Sequence, residues 1–439
     1  MNKVLISDTL SGKAVEVFRG RGIDVDVSVD LGPEDLMARI RGYDGLAVRS
    51  STQVTAEVLS AGKRLRVVGR AGIGVDNIDV AAATGCGVVV MNTPFGNSTT
   101  TAEHTIALLM ALCRQIPQAD RSTQMGKWEK SRFMGVEVTG KILGMIGCGN
   151  VGSIVAERAQ GLRMRVIVYD PFMTNEHAAE LGVERVELDE LLAQSHFISL
   201  HVPLTETTRG MIDKNALSKT QPGVRIINCA RGGLILESDL KNSIQAGHVA
   251  GAALDVFVQE PAVNNELFGM PEIIATPHLG AATNEAQEKV AVQLAEQMSD
   301  YLANGSVTNA LNMPSVSLEE APRLRPYMVL AEQLGSFAGQ ITEAGIKEVS
   351  VEYEGAASAL NTRPLTAIVL ESMLRPLLES VNMVNAPLVA KERDIEVREI
   401  KRDGPCDYNS MIRLTVVTEA ETQSVAGTVF GGQPRLTHI

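Results

Sequence analysis

Three residues have the types and the spacing to do acid/base chemistry on a small anion: Arg231 in NCARGG, Glu260 in DVFVQEP and His278 in TPHLGAAT. A histidine titrates near neutrality and can take the proton of a hydroxyl. A glutamate can hold the second ring nitrogen and stabilise the imidazolium that forms. An arginine offers two parallel N–H groups to a carboxylate, a geometry that lysine lacks. Base, partner and clamp together suit the oxidation of an alcohol that carries a carboxylate, with a cofactor to receive the hydride. Taken singly, each has a plainer reading. A histidine after a strand is often a hydrogen-bonded structural group, and an arginine beside Gly-Gly is often a turn residue. The grouping carries the argument.

Short apolar runs precede each of these motifs and must position them. Strands are expected at Phe197–Val202, Val224–Asn228, Ala252–Val256 and Ile273–Ala275, followed in turn by HVPLTETT, NCARGG, DVFVQEP and TPHLGAAT. In an open parallel sheet, ligands bind beyond the carboxyl ends of the strands, so four consecutive strand ends carry the chemistry.

The hydride acceptor has its own signature in the stretch Lys141–Pro171, KILGMIGCGNVGSIVAERAQGLRMRVIVYDP. An apolar run, Ile142–Ile146, leads through Gly147, Gly149 and Gly152 into a helical segment and a second apolar run that ends at Asp170. Such a βαβ unit binds a dinucleotide. The first glycine allows the tight turn, the second lets the backbone approach the pyrophosphate, and the third lets helix and strand pack closely. The helix N-terminus presents free N–H groups to the phosphates. Asp170 lies eighteen residues beyond Gly152, where a carboxylate accepts hydrogen bonds from the ribose 2′-hydroxyl. A 2′-phosphate would meet a like charge there, with no Arg or Lys following at once, so NAD is expected and NADP disfavoured.

The 439 residues are enough for two or three domains. A net charge of −12 argues against nucleic acid or an anionic membrane as partner, and means that an anionic substrate needs a local basic patch. Five scattered cysteines, Cys86, Cys113, Cys148, Cys229 and Cys406, form no C-x-x-C pair and no zinc spacing, so no metal is expected. With no secretory leader and no long apolar span, a reducing cytoplasm is the simple reading.

In chain order, strand-like runs at Val4–Ser7, Val25–Val29, Gly45–Val48, Val67–Val68 and Val88–Met91 alternate with helical stretches at Ser11–Arg19 and Pro33–Arg41. This predicts a small doubly wound, flavodoxin-like domain over residues 1–95 without a fingerprint of its own. A long helix from Asn97 leads into the dinucleotide domain, 96–282. Met125–Gly140 reads as a loop holding the only tryptophan, either an intersubunit arm or a plug in a local core. A helix over Asn284–Ala303 returns the chain to the first domain, whose second part spans 283–308. Residues 306–314 read as a linker. Beyond 311, helices at Tyr327–Ile341 and Leu365–Glu379 and strands at Lys347–Tyr353, Ile395–Ile400 and Met411–Thr418 predict a separate α+β domain. The fold class is therefore α/β, a Rossmann-type domain inserted in a flavodoxin-like substrate domain, with an α+β domain at the C-terminal end.

NCARGG, ALDVFVQEP, TPHLGAAT and GCGNVG closely resemble the D-isomer-specific 2-hydroxyacid dehydrogenases. VVGRAGIGVDNID, MNTPFGNSTTTAEH, GKWEKSRFMG and VNMVNAPLVAKER look most like the longer branch of that family, which acts on 3-phosphoglycerate. The resemblance covers nearly the whole chain. It implies NAD-dependent oxidation of 3-phospho-D-glycerate, with His278 as acid/base, Glu260 as its partner and Arg231 as the carboxylate clamp. It implies cofactor contacts from Ile73, Asn150, Val151, Val202, Cys229, Ala230, Arg231, Asp255, His278, Gly280 and Ala281. It supplies the basic patch in Arg49 and Arg70, with Asn97, and with Lys130 contributed by a neighbouring subunit of a homodimer or homotetramer. Residues from about 311 resemble that branch's intervening domain, which leads in longer relatives to a serine-binding regulatory domain. This sequence stops at Thr437-His438-Ile439, which implies little or no inhibition by L-serine. Two other readings stay open: another D-2-hydroxy acid such as glycerate or 2-hydroxyglutarate as substrate, and an NAD-sensing binding protein built on the same fold.

The Asp170 assignment predicts that Asp170→Ala raises the NAD dissociation constant by about 10- to 100-fold, the loss of hydrogen bonds to a charged acceptor. The variant should also narrow the preference for NAD over NADP. Titration with both cofactors checks this, and unchanged selectivity would remove Asp170 from the ribose site.

Overall fold

The computed structural model describes residues 2–314, 320–342, 344–376, 378, 381–404 and 408–438. The chain divides into two compact units, one made of residues up to Thr93 together with those from Glu288 onward, the other of Pro94–Gln287.

The first unit opens with five short parallel strands, β1 (Lys3–Ile6), β2 (Asp24–Val27), β3 (Gly45–Val48), β4 (Val67–Arg70) and β5 (Val89–Met91), in the order β2-β1-β3-β4-β5. This is the flavodoxin-like order expected from the sequence. Parallel strands covered on both faces read as continuous apolar runs. Accordingly Gly45–Val48 is buried throughout. Alternate residues serve opposite faces: Val4, Ile6, Ala47, Val67 and Val89 in one cluster, Leu5, Leu46, Val48, Val68 and Val90 in the other. Leu294 and Met298 of the helix Asn284–Asn304 complete the first cluster. The short helices Ala56–Ala61 and Val80–Gly85 escaped the sequence reading. Six residues fall short of two helical turns, so hydrophobic periodicity has little to register there.

The second unit carries seven strands, β6 (Ile142–Ile146), β7 (Arg165–Tyr169), β8 (Glu184–Arg185), β9 (Phe197–Leu200), β10 (Val224–Asn228), β11 (Val249–Leu254) and β12 (Ile273–Ala275). All are parallel, in the order β12-β11-β10-β9-β6-β7-β8. Numbered within the unit this is the doubly wound dinucleotide-binding order, whose direction reverses between β6 and β9. Both faces are packed, one by the helices Ser98–Arg114 and Asn150–Gly161 and the other by Leu191, Leu217, Leu240 and Ile244. The strand expected at Ala252–Val256 begins earlier, at Val249, and ends at Leu254, which leaves Asp255 and Val256 in the loop.

Back in the first unit, β13 (Ile346–Gly355), β14 (Glu396–Arg402), β15 (Ser410–Thr418), β16 (Thr422–Phe430) and β17 (Gln433–His438) form a mixed sheet in the order β14-β13-β15-β16-β17. β13 runs parallel to β14 and antiparallel to β15. Helices Ala321–Ile341 and Arg363–Leu374 bury Leu334, Ala338 and Val369 against Val351, Tyr353 and Ile412. The helix expected over Leu365–Glu379 thus ends at Leu374, and Glu379, like Cys406 and Ile439, lies outside the described residues. The last hairpin, β16 and β17, was not singled out in the sequence.

The expected linker does more than connect. Leu311 N–H donates to the Val90 carbonyl, Asn92 N–H donates to that of Asn309, and Met91 and Ala310 form an antiparallel bridge. These bonds, with Asn312 Nδ2 donating to Val88 O, cover the open edge of β5. Asn382 Nδ2 also donates to Gly87 O at 2.8 Å, and Val384 enters the first sheet's core. The α+β region is therefore anchored to the first sheet by specific contacts.

Candidate active site

His278 sits three residues past β12, in a left-handed backbone conformation with φ 55°. That conformation costs a non-glycine residue on the order of 1–2 kcal/mol, so the surrounding loop must hold it. His278 N–H donates to the carbonyls of Asp255 and Thr276 at 2.9 and 3.0 Å. The imidazole is half exposed, and its Nδ1 lies 2.6 Å from Glu260 Oε2. The other Glu260 oxygen accepts the Phe257 N–H at 3.0 Å. Burial pushes the Glu260 carboxyl up, but the His278 hydrogen bond, the Phe257 amide and the imidazolium charge outweigh it and hold the group below its usual range. The carboxylate therefore stays ionised through neutral pH, and its pairing is lost only as pH falls through that lowered value. A carboxylate on Nδ1 leaves Nε2 as the nitrogen free to exchange a proton with substrate.

Arg231 follows β10 in a tight turn. Asn228 Nδ2 donates to the Arg231 carbonyl at 2.8 Å, and Arg231 Nη1 donates to Ala230 O at 2.7 Å. Next to it a Cβ on Gly232 would fall 1.9 Å from the Phe257 carbonyl oxygen, so only glycine lets this turn pack against the loop after β11. Arg231, Glu260 and His278 thus come from the ends of the adjacent strands β10, β11 and β12.

The fingerprint glycines differ as their chemistry requires. Gly147 has φ 88°, and a Cβ there would meet His201 O and Val202 Cγ1 at 2.7 Å. A Cβ on Gly152 would meet Gly147 O at 2.7 Å. At Gly149 a Cβ would meet nothing within 4 Å, so protein packing gives no reason for glycine there. Open space beside the N-terminus of the helix Asn150–Gly161, which no side chain caps, fits a pyrophosphate held by the amides of Asn150, Val151 and Gly152. Asp170 ends the unit with Oδ2 accepting the Cys148 N–H and Oδ1 the Phe172 N–H, both at 2.9 Å. The pocket-side residues therefore fit a dinucleotide.

Among the other expected positions, Cys229 is buried, and burial drives its thiol up to about 12, so it remains a neutral wall. Asp255 is fully buried, its carboxylate accepts hydrogen bonds from Thr276, Leu279 and Gly280, and His104 Nε2 lies 3.2 Å away. Gly280 N–H is one of those donors, and Ala281 follows it in the turn. Asn97 caps the helix Ser98–Arg114, and its buried Oδ1 has no hydrogen-bond partner among the described residues. An orphaned buried amide oxygen calls for a ligand or a water. Lys130 lies in a 3-10 turn on the exposed tryptophan loop. Trp128 is 87% exposed, which excludes its alternative reading as a plug in a local core.

Ile73, Arg49 and Arg70 belong to the first unit. Arg49 follows β3 and Arg70 ends β4, side by side at the carboxyl edge of that sheet. Arg70 Nε donates to the Arg49 carbonyl at 3.2 Å. The Arg49 N–H donates to Asp8 Oδ2 at 2.5 Å, and Asn92 Nδ2 fixes the Ile73 carbonyl at 2.6 Å. The sequence reading missed His104 and Thr276. Both stand inside quoted motifs, but their meaning depends on a buried carboxylate that only the fold brings to them. Among the described residues no cluster of His, Cys, Asp and Glu is arranged to hold a metal.

A doubly wound sheet with this fingerprint turn, and a histidine–carboxylate pair at its strand ends, defines a dinucleotide-dependent dehydrogenase. Residues 106–280 match the NAD-binding domain of the D-isomer specific 2-hydroxyacid dehydrogenases, and 323–439 match the D-3-phosphoglycerate dehydrogenase intervening domain. The D-3-phosphoglycerate dehydrogenase of Archaeoglobus fulgidus is 41% identical over 439 residues, covering 100% of this chain and 83% of the relative. That of Bacillus subtilis is 40% identical over 430 residues, covering 98% and 81%. The crystal structure of D-lactate dehydrogenase from Aquifex aeolicus, complexed with NAD and lactic acid, covers 69% of this chain and 96% of its own at 26% identity, with a TM-score of 0.62. The chain belongs to the D-3-phosphoglycerate dehydrogenases of the D-isomer specific 2-hydroxyacid dehydrogenase family.

If His278 is the base, His278→Asn should lower turnover by about 10²–10⁴-fold while NAD binding, followed by fluorescence, is retained. Asn tolerates the left-handed backbone, so the loss is chemical. Wild-type turnover would remove His278 from the mechanism.

Proposed function

We propose that this enzyme oxidises 3-phospho-D-glycerate to 3-phosphohydroxypyruvate, the first step toward L-serine, with His278 and Glu260 as acid/base pair and Arg231 as carboxylate clamp. The observation that carries the reading is the 2.6 Å contact of His278 Nδ1 with Glu260. Bound NAD supplies the hydride acceptor. His278 Nε2 takes the hydroxyl proton as the carbonyl forms, and Glu260 stabilises the resulting imidazolium. In the reverse direction the same nitrogen returns the proton. Arg231 fixes the carboxylate beside the reacting carbon, which orients the hydroxyl toward His278. Asn150, Val151, Asp170, Val202, Cys229, Ala230, Gly280 and Ala281 line the cofactor site. Asp255, which exposes no atom, serves it by holding the loop that carries Gly280.

Arg49, Arg70, Asn97 and Lys130 recognise the substrate's anionic groups. Arg49 and Arg70 concentrate positive charge on a protein of net charge −12, and the Asn97 oxygen has no partner among the described residues. Lys130 reaches the site of a neighbouring subunit in a homodimer or homotetramer, for which exposed Trp128, Met125 and Met134 supply an apolar face. Domain roles follow: 1–95 with 283–308 for substrate, 96–282 for NAD and 311–439 as the intervening domain. No described helix is long and apolar enough to cross a membrane. Action in the cytoplasm is part of the same proposal.

The test is substrate choice. Arg49→Ala, Arg70→Ala and Lys130→Ala should each raise the KM for phosphoglycerate by about 10- to 100-fold, the loss of a charge-assisted bond. KM for NAD should change little, and added salt should shrink the difference. Equal use of unphosphorylated glycerate by the wild type would replace phosphoglycerate with another D-2-hydroxy acid as substrate. Absence of NAD reduction with any of these acids would favour a binding protein.

A further inference from the structure

Behind the His278–Glu260 pair lies a second histidine–carboxylate pair that faces the protein interior. Asp255, the residue after β11, has no exposed surface. Its Oδ1 accepts the Thr276 hydroxyl at 2.5 Å and the Leu279 N–H at 2.7 Å, and its Oδ2 accepts the Gly280 N–H at 2.8 Å. These three donors bracket His278 on both sides. The Asp255 carbonyl also accepts the His278 N–H at 2.9 Å. The loop 276–280 is therefore wrapped around one residue, and that wrapping sustains the left-handed conformation of His278.

A buried carboxylate is stable only when donors surround it. Burial pushes the Asp255 carboxyl up, yet the bonds from His104, Thr276 and Leu279 hold it below its usual range. A fourth group facing the carboxylate, His104, comes from outside the loop, on the helix Ser98–Arg114. Its Nε2 lies 3.2 Å from Asp255 Oδ1 and 3.3 Å from Thr276 Oγ1. With a carboxylate as partner, Nε2 carries the hydrogen. One helical turn earlier, Thr101 Oγ1 donates to the Gly280 carbonyl at 3.0 Å. Residues at i and i+3 share a helix face. That face therefore grips the loop at both ends, His104 at Thr276 and Thr101 at Gly280.

We propose that His104 is a positioning residue for the catalytic step: by donating from Nε2 to Thr276, beside the Asp255 carboxylate, it fixes the loop that aims His278 at the substrate hydroxyl. The proposal rests on His278 being the base, which His278→Asn tests separately. A merely structural His104 would affect stability and leave turnover alone. A positioning His104 affects turnover and depends on where its donor lies.

A glutamine side chain puts its amide nitrogen near the Nε2 position, whereas asparagine puts it near Nδ1, too short to reach Thr276. In the full-length protein, His104→Asn should lower kcat by about tenfold, because small displacements of a reacting group are costly. The NAD dissociation constant should stay within about twofold, and His104→Gln should restore kcat to within about threefold of wild type. Thermal unfolding of both variants is measured alongside. The proposal fails if His104→Asn keeps wild-type kcat, if His104→Gln loses as much, if the loss lies wholly in NAD affinity, or if His104→Asn fails to fold while His104→Gln folds. Failure here with His278→Asn still inactive would leave the acid/base assignment intact.

Discussion

The contact between His278 Nδ1 and Glu260 Oε2 at 2.6 Å is the interaction on which the rest of the structure depends. It joins residues eighteen positions apart, in the loops after two consecutive strands, which meet because β11 and β12 lie side by side. Glu260 is oriented from the other side by the Phe257 amide, and His278 is held in a costly backbone conformation by the loop around Asp255. The arrangement stores strain at His278, the proposed base, and offsets it with hydrogen bonds to a buried charge. Strain at a reacting group persists only where its surroundings over-determine it.

The same logic applies at the cofactor turn, where three glycines in one motif meet three different surroundings. Gly147 and Gly152 are required by close backbone approach, and Gly149 by nothing within the protein. The empty space at Gly149 is what a pyrophosphate needs. Asp170 is already oriented by two backbone amides, so the ribose proposed to bind there would leave little to order.

Much of this was legible in the sequence. Strands β3, β6, β10 and β12 match the expected residue spans, because short apolar runs bounded by glycine or polar residues have few other readings in an alternating α/β pattern. What was not legible has physical causes. Six-residue helices carry too few turns for a period. Residues 306–314 have no periodicity because their contribution is a set of edge hydrogen bonds to β5, made by backbone and by Asn312. The hairpin of β16 and β17 lies at the margin of the mixed sheet, where half-exposed residues blur the alternation. His104 and Asp255 stand 151 residues apart, and nothing local to either signals a partner.

In the proposed mechanism the Glu260 carboxylate acts by stabilising the protonated form of His278. The most direct measurement is the pH dependence of kcat/KM for phosphoglycerate oxidation in the wild type and in Glu260→Gln. Oxidation needs the neutral imidazole, and the carboxylate favours the charged one. The account predicts a slower variant whose acid limb moves to lower pH. An acid limb that stays where it is, or moves to higher pH, would contradict the pairing as the source of the chemistry.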